Sequence, residues 1–191
     1  MKVYETIISI LEKKGPLPLP VICMEVNKIL KIHQENPLKP SQIQSIVTRK
    51  KDLFTVKGGK ISIHPDKYPF SLIATMEEYS GASNQVRVNF IKKRFIFLEW
   101  RNKDNIQPFA DYPAKFHGSL EDFKRDIYSM KIWEWEPAYR NVEGIVLGGK
   151  FWSVKLSTKG RVYESEGTDC FPLNWARFCK AVEKLTGTPF R

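Results

Sequence analysis

Polar and basic side chains lie along one face of a short predicted helix, and their types are those that contact DNA. Within residues 39–50, Ile43, Ile46 and Val47 recur at spacings of three and four, so they form a stripe that faces a core. The opposite face then carries five side chains: Gln42, Gln44, Ser45, Thr48 and Arg49. Gln, Ser, Thr and Arg hydrogen-bond base edges in the major groove of DNA. The pattern therefore predicts a helix that contacts double-stranded DNA.

Four lysines follow this face along the chain. Lys50 and Lys51 end the predicted helix, and Lys57 and Lys60 flank a predicted hairpin turn. Ammonium groups at such positions suit contacts to phosphate, which position a protein on a duplex without reading its sequence. The simplest alternative is a solvated helix face beside an ordinary lysine-bearing hairpin. A further alternative is that this surface binds protein rather than DNA, because a fold alone does not fix function.

The elements that must position this surface are predicted from apolar spacing. A first helix carries Val3, Ile7, Ile10 and Leu11 and stops at Gly15. A second helix is expected to face inward with Val21, Ile22, Val26, Ile29 and Leu30. The third helix, described above, begins at Pro40, which suits a first helical turn.

A β-hairpin is predicted after the third helix. Gly58 and Gly59 can adopt the positive φ values of a tight turn, and the residues on either side alternate. The inward residues of the hairpin are expected to be Phe54, Val56, Ile61 and Ile63.

Three helices followed by a hairpin is the element order of a winged helix-turn-helix. The run from Lys39 through Ser41-Gln42-Ile43, then Asp52-Leu53-Phe54, then Val56 to Ser62 resembles the HARE-HTH family of bacterial winged helices, which is related to the RNA polymerase delta subunit. The resemblance covers residues 1–65. It implies a winged-helix fold for this part of the chain and a role in transcription regulation.

Composition divides the chain near residue 67. Residues 1–67 hold twelve Lys and Arg against six Asp and Glu, and only two aromatic residues, Tyr4 and Phe54. All five Trp lie beyond. We therefore predict a winged-helix domain over 1–67 and an aromatic-rich domain over 68–191.

The second domain is predicted to be α+β, with a mostly antiparallel sheet and segregated helices. Ser119 is a candidate N-cap for a helix that buries Phe123, Ile127 and Met130. The other expected elements are strands over 87–91 and 94–100, a strand over 131–136, a hairpin of 151–156 with 160–165, and a last helix that packs Trp175, Phe178, Cys179, Val182 and Leu185 before Gly187.

The aromatic and basic residues of this domain are given structural roles. Trp133 and Trp135 are expected in the core, since the neighbouring glutamates would repel phosphates. The basic run 92–94, near Arg87 and Arg101, is interpreted as a charged turn rather than a nucleic-acid surface. The ending from Trp152 resembles a pattern in uncharacterised bacterial proteins, and it implies no activity.

The chain offers weak candidates for enzyme chemistry. Asp111 with Glu134 or Glu136 lacks the strand lysine of a metal-dependent nuclease. Cys170 would need His117 as its partner, and His33, His64 and His117 are scattered rather than clustered as metal ligands. Gly148 and Gly149 lack the spacing of a phosphate-binding loop. We expect no enzymatic activity, no cofactor and no metal.

Charge and hydropathy complete the expectations. The chain has 191 residues and a formal net charge of +10, with no apolar run of membrane-spanning length and three cysteines, an odd number. This suggests a cytoplasmic protein.

The first hypothesis is a non-enzymatic DNA-binding protein whose C-terminal domain serves a partner, an effector or dimerisation. The alternatives are an interaction module of a multi-subunit nucleic-acid-processing or defence complex, and a nuclease-like enzyme targeted by a winged helix. Oligomeric state stays open.

Overall fold

The chain divides into two compact units, Met1–Tyr68 and Pro69–Arg191. The division lies next to the composition break near residue 67. The computed structural model describes residues 2–31, 37–78, 83–100, the backbone of 107–108, 118–140 and 149–190. Several sequence candidates lie outside these ranges: His33, Arg101, Asp111, His117 and Gly148.

Among the described residues, the N-terminal unit contains three α-helices, each at its predicted place: α1 (Val3–Lys14), α2 (Leu19–Ile29) and α3 (Pro40–Arg49). A 3-10 turn follows at Pro65–Lys67. Helix α2 contacts both α1 and α3. Gly15 ends α1 with a φ of +76°, and its N–H donates to the Leu11 carbonyl. The packed stripes of the three helices include Ile7, Ile22 and Ile43, each fully buried.

A three-stranded sheet completes this unit. Strands β2 (Phe54–Lys57) and β3 (Lys60–Ile63) form the antiparallel hairpin, and β1 (Leu17–Pro18) pairs with the other side of β3. The order β1-β3-β2 makes β2 an edge strand.

Two apolar residues of this unit differ from the prediction. Val56 is 57% exposed, because it lies on the edge strand near the hairpin tip, whereas its partner Ile61 lies on the central strand and is buried. Ile29 is 45% exposed because α2 ends there, and Cys23 instead is buried with Ile22 and Val26.

The second unit is α+β, as predicted, and is built on a seven-stranded sheet. Its strands are β4 (Pro69–Glu78), β5 (Ser83–Asn89), β6 (Arg94–Trp100), β7 (Gln107–Pro108), β8 (Ala138–Tyr139), β9 (Lys150–Thr158) and β10 (Val162–Thr168). Their order is β7-β6-β5-β4-β9-β10-β8, and among these described strands only the β8–β10 pair is parallel. The central strand β4 was not anticipated from the sequence.

Two helices and an aromatic cluster cover one face of this sheet. Helix α4 (Leu120–Met130) is capped by Ser119, whose Oγ accepts the Asp122 N–H, and α5 (Trp175–Thr186) ends at Gly187, both as predicted. Trp152 of β9 is fully buried against Trp175 of α5, with ring centroids 4.5 Å apart. This packing joins sheet and helix.

The strand predicted over 131–136 is wrong. Lys131 has a φ of +54° and ends α4, and Ile132–Glu134 form one 3-10 turn. Asn174 holds this turn, because its amide group accepts the Trp135 Nε1–H and donates to the Met130 carbonyl, both at 2.7 Å. The core role is confirmed for Trp133, which is 7% exposed, whereas Trp135 is half-buried with its ring against the aromatic cluster.

Lys92 and Lys93 lie in the turn between β5 and β6, and Arg94 begins β6; Lys93 lies 3.7 Å from a carboxylate oxygen of Glu121. Within the described ranges, no helix is both long and apolar enough to cross a membrane.

Candidate nucleic-acid interface

Helix α3 presents the polar face that its sequence predicts. Ile43 and Val47 are buried, while Ile46 is only half-buried. The five side chains proposed to contact bases are all exposed: Gln42, Gln44, Ser45, Thr48 and Arg49.

Hydrogen bonds within α3 already engage most of these side chains. Gln42 Oε1 accepts the backbone N–H of Lys39 at 2.8 Å, so this oxygen caps the helix. Gln44 Nε2 donates to Thr48 Oγ1 at 3.4 Å, and Ser45 Oγ donates to the Ser41 carbonyl. Gln42 therefore caps the helix, and its amide N–H groups remain the donors that it can offer to another partner.

Arg49 lies at the last turn of the same face. Its Nε donates to the Ser45 carbonyl at 3.3 Å, which directs the side chain along the helix. The terminal guanidinium nitrogens make no hydrogen bond or ion pair to any part of the chain that the structure describes. A guanidinium offers five donors, so this residue keeps the capacity for a bidentate contact.

Lys50 and Lys51, in the turn after α3, differ in exposure, although the sequence predicts the same role for both. The N–H groups of Leu53 and Phe54 both donate to the Lys50 carbonyl, which closes the turn into β2. Lys50 is half-buried, and its Nζ lies 5.2 Å from the centroid of the Tyr4 ring on α1. Lys51 is exposed.

The hairpin tip carries the other two lysines. Lys57 and Lys60 are paired in register across the turn, and both are exposed. Gly58 and Gly59 adopt φ values of +57° and +71°, as the tight turn requires. Within the described part of the chain, neither lysine has an ion-pair partner. The tip is therefore a compact, uncompensated positive charge.

Charge in the N-terminal unit is concentrated on this stretch. Residues 39–60 hold six Lys and Arg against one acidic residue, Asp52, for a net charge of +5. Residues 1–38 hold five Lys and Arg against four Glu, for a net charge of +1. The positive field of the unit thus comes from α3, its following turn and the hairpin.

The candidates for enzyme chemistry have ordinary surroundings. Burial raises the pKa of the half-buried Cys179 thiol to about 11, which makes it a poor nucleophile. Cys170 uses its carbonyl to accept the Trp152 Nε1–H at 2.9 Å. Glu134 pairs with Lys131, and Glu136 is exposed. Among the described residues, no three His, Cys, Asp or Glu side chains are grouped to hold a metal ion.

Sequence reasoning missed the contribution of α1 to this surface. Tyr4 meets the end of α3 through Lys50, and together they border a groove. The available signal was that Tyr4 is one of only two aromatic residues in the first 67.

Comparison with known proteins gives no relative: no protein-family model, no curated protein and no solved structure matches this chain.

Proposed function

We propose that the N-terminal unit is a winged helix that binds duplex DNA and that the whole chain is a non-enzymatic, cytoplasmic DNA-binding protein. In this proposal α3 enters the major groove and the β2–β3 hairpin lies along the backbone. The second unit then serves a partner, an effector or dimerisation.

The observation that carries this proposal is the uncompensated charge at the hairpin tip. Like charges directly opposite each other destabilise an antiparallel pair, so Lys57 and Lys60 oppose folding of the hairpin. A phosphate between or beside the two ammonium groups would turn this repulsion into attraction. The net charge of +5 over residues 39–60 supports the same partner.

The exposed groups of α3 supply the expected readout chemistry. The Arg49 guanidinium suits the O6 and N7 acceptors of guanine, and the Gln44 and Thr48 side chains offer both donors and acceptors. Gln42 contributes less, because its oxygen caps the helix.

The experiment is fluorescence anisotropy of the full chain with a labelled random-sequence duplex, titrated at several salt concentrations. We expect micromolar or tighter binding that weakens steeply with salt, because each neutralised phosphate releases counterions. The charge-reversal variant Lys57→Glu/Lys60→Glu should lose this binding.

The matched control is Lys92→Glu/Lys159→Glu, which changes the net charge equally at two exposed turn positions of the second unit. It should bind as the unchanged protein does. Equal loss in both variants would mean that only total charge matters, and the absence of binding at low salt would overturn the proposal.

One observation favours a second candidate, an interaction module that docks on another protein. Val56 is an exposed aliphatic side chain on edge strand β2, one residue from Lys57. An exposed apolar residue beside cations suits an acidic protein partner. The same titration separates the two candidates, because this one predicts no duplex binding.

A further inference from the structure

A groove in the N-terminal unit lies where the first turn of α1 meets the last turn of α3. Its volume is about 380 Å³, and its lining consists of Val3, Tyr4, Ile46, Arg49 and Lys50. This volume is at the lower end of the ~300–1,000 Å³ typical of small-molecule sites.

The lining combines two kinds of chemistry. Val3, Tyr4 and Ile46 offer apolar and aromatic surface, and Ile46 is only half-buried because this groove lies beside it. Arg49 and Lys50 add two positive charges from adjacent positions. None of the described residues that line the groove is acidic. A ligand that satisfies the whole lining therefore needs a flat or apolar body and a multiply charged anionic group.

We propose that this groove binds a free nucleoside phosphate. A phosphate monoester carries about −1.5 to −2 charges near neutral pH, which matches two adjacent cations. A nucleobase has a π-face that packs on aromatic and aliphatic side chains. Inorganic phosphate has no base to contact the apolar and aromatic side chains, and an uncharged nucleoside has no anionic group to contact the two cations. Each fragment alone therefore contacts only one part of the lining.

Occupation of the groove competes with DNA, a consequence that rests on the proposed function above. Arg49 lines the groove and also stands on the exposed face of α3, and Lys50 ends the same helix. A bound phosphate would hold both cations at the α1 side and withdraw them from the duplex. The nucleoside phosphate would then act as a negative effector of DNA binding.

The test uses the full chain and three probes: adenosine 5′-monophosphate, adenosine and inorganic phosphate. Titrations followed by backbone amide NMR shifts should show saturable changes at Val3, Tyr4, Ile46, Arg49 and Lys50 for the monophosphate. Its affinity should exceed that of either fragment by roughly tenfold or more, because it makes both sets of contacts. Phosphate binding as tightly as the monophosphate would overturn the proposal, and so would shifts only elsewhere in the chain.

Variants localise the binding. Lys50→Gln and Tyr4→Ala should each weaken the monophosphate by roughly tenfold, since one removes a charge and the other removes the ring. Lys13→Gln is the matched control, because it removes an exposed cation from the same unit about 14 Å along α1 from Tyr4. Equal weakening by Lys13→Gln, or adenosine binding as tightly as the monophosphate, would contradict the assignment.

The two proposals fail separately. If the chain binds the monophosphate but not the duplex, the groove remains a nucleoside phosphate site and the proposed DNA-binding function is overturned. Duplex binding that is indifferent to saturating monophosphate overturns the competition.

Discussion

Lys57 and Lys60 face each other across the tip of the β2–β3 hairpin, at its last paired position before two glycines of positive φ. The pairing places two exposed lysine side chains opposite each other on neighbouring strands. The same pair of charges therefore lowers the stability of the hairpin and attracts an anion.

Replacing one of these lysines should change stability and binding in opposite directions. Lys57→Thr removes the like-charge pair and adds a good strand former, so hairpin stability should rise by about 0.3 kcal/mol, a small value because both side chains are exposed. Amide hydrogen exchange over residues 54–63 measures this gain, and duplex affinity should fall. A variant that loses hairpin stability would contradict the repulsion argument; Lys67→Thr, outside the hairpin, is the control.

Arg49 and Lys60 should affect binding differently. Arg49→Gln should reduce discrimination between duplex sequences. Lys60→Gln should weaken binding to all sequences about equally, and it should make the slope of log binding constant against log salt concentration shallower by about one. Anisotropy against a panel of duplexes, at several salt concentrations, measures both quantities. Equal loss of discrimination in the two variants would refute this division of roles.

Gly59 should be replaceable by asparagine but not by alanine. No atom lies within 4 Å of a Cβ built there, so the penalty comes only from its φ of +71°. Gly59→Ala should destabilise the hairpin by about 1 kcal/mol, and Gly59→Asn by less, because Asn tolerates the left-handed region. Hydrogen exchange over β2 and β3 measures the difference; equal penalties would show that the turn changes shape.

Asn174 should stabilise the second unit through its two hydrogen bonds. Asn174→Ala removes the partner of Trp135 Nε1 and of the Met130 carbonyl, so we expect a loss of about 1–3 kcal/mol. Urea unfolding followed by tryptophan fluorescence measures it, since all five Trp lie in this unit. Asn174→Asp keeps the oxygen that accepts from Trp135 but places a second acceptor opposite the Met130 carbonyl, so it should also destabilise the unit. A variant as stable as the unchanged protein would show that the donation to Met130 is unimportant.

Alkaline pH should destabilise the second unit through Cys179. Burial raises the pKa of its thiol from 9.0 to about 11. Between these values the unfolded chain has released the proton and the folded chain has kept it, so the free energy of unfolding falls as pH rises from about 9 to about 11. Unfolding of Cys179→Ala over the same range should show a smaller decrease, and an identical decrease would exclude this thiol as the cause.

The elements with strong local signals could be predicted from the sequence. Helix α4 has both a serine cap and a regular apolar stripe, and α5 ends at a glycine, so local chemistry determines their limits. The third helix is similar, since its buried Ile43 and Val47 leave the polar residues exposed.

Elements that depend on distant contacts could not be predicted. Strand β4 buries Leu72, Ala74 and Met76, but alanine is depleted in strands, and the pairing of β4 with β9 fixes its position. The alternation over 131–136 suggested a strand, yet Asn174, 39 residues away from Trp135, holds a turn there. The α1–α3 groove likewise depends on how two helices meet.

The central place of β4 has a consequence for synthesis of the chain. Ser71 pairs with Asn89 on one side but with Ser157 on the other, 86 positions later, so the pairing of β4 with β9 cannot form until residue 157 has left the ribosome. The strands that the structure describes in the first unit pair with one another between residues 17 and 63. The β2–β3 hairpin is therefore expected to form while β4 still has an unpaired, aggregation-prone edge. Limited proteolysis of ribosome-bound chains of increasing length would show the first unit becoming protected before the second.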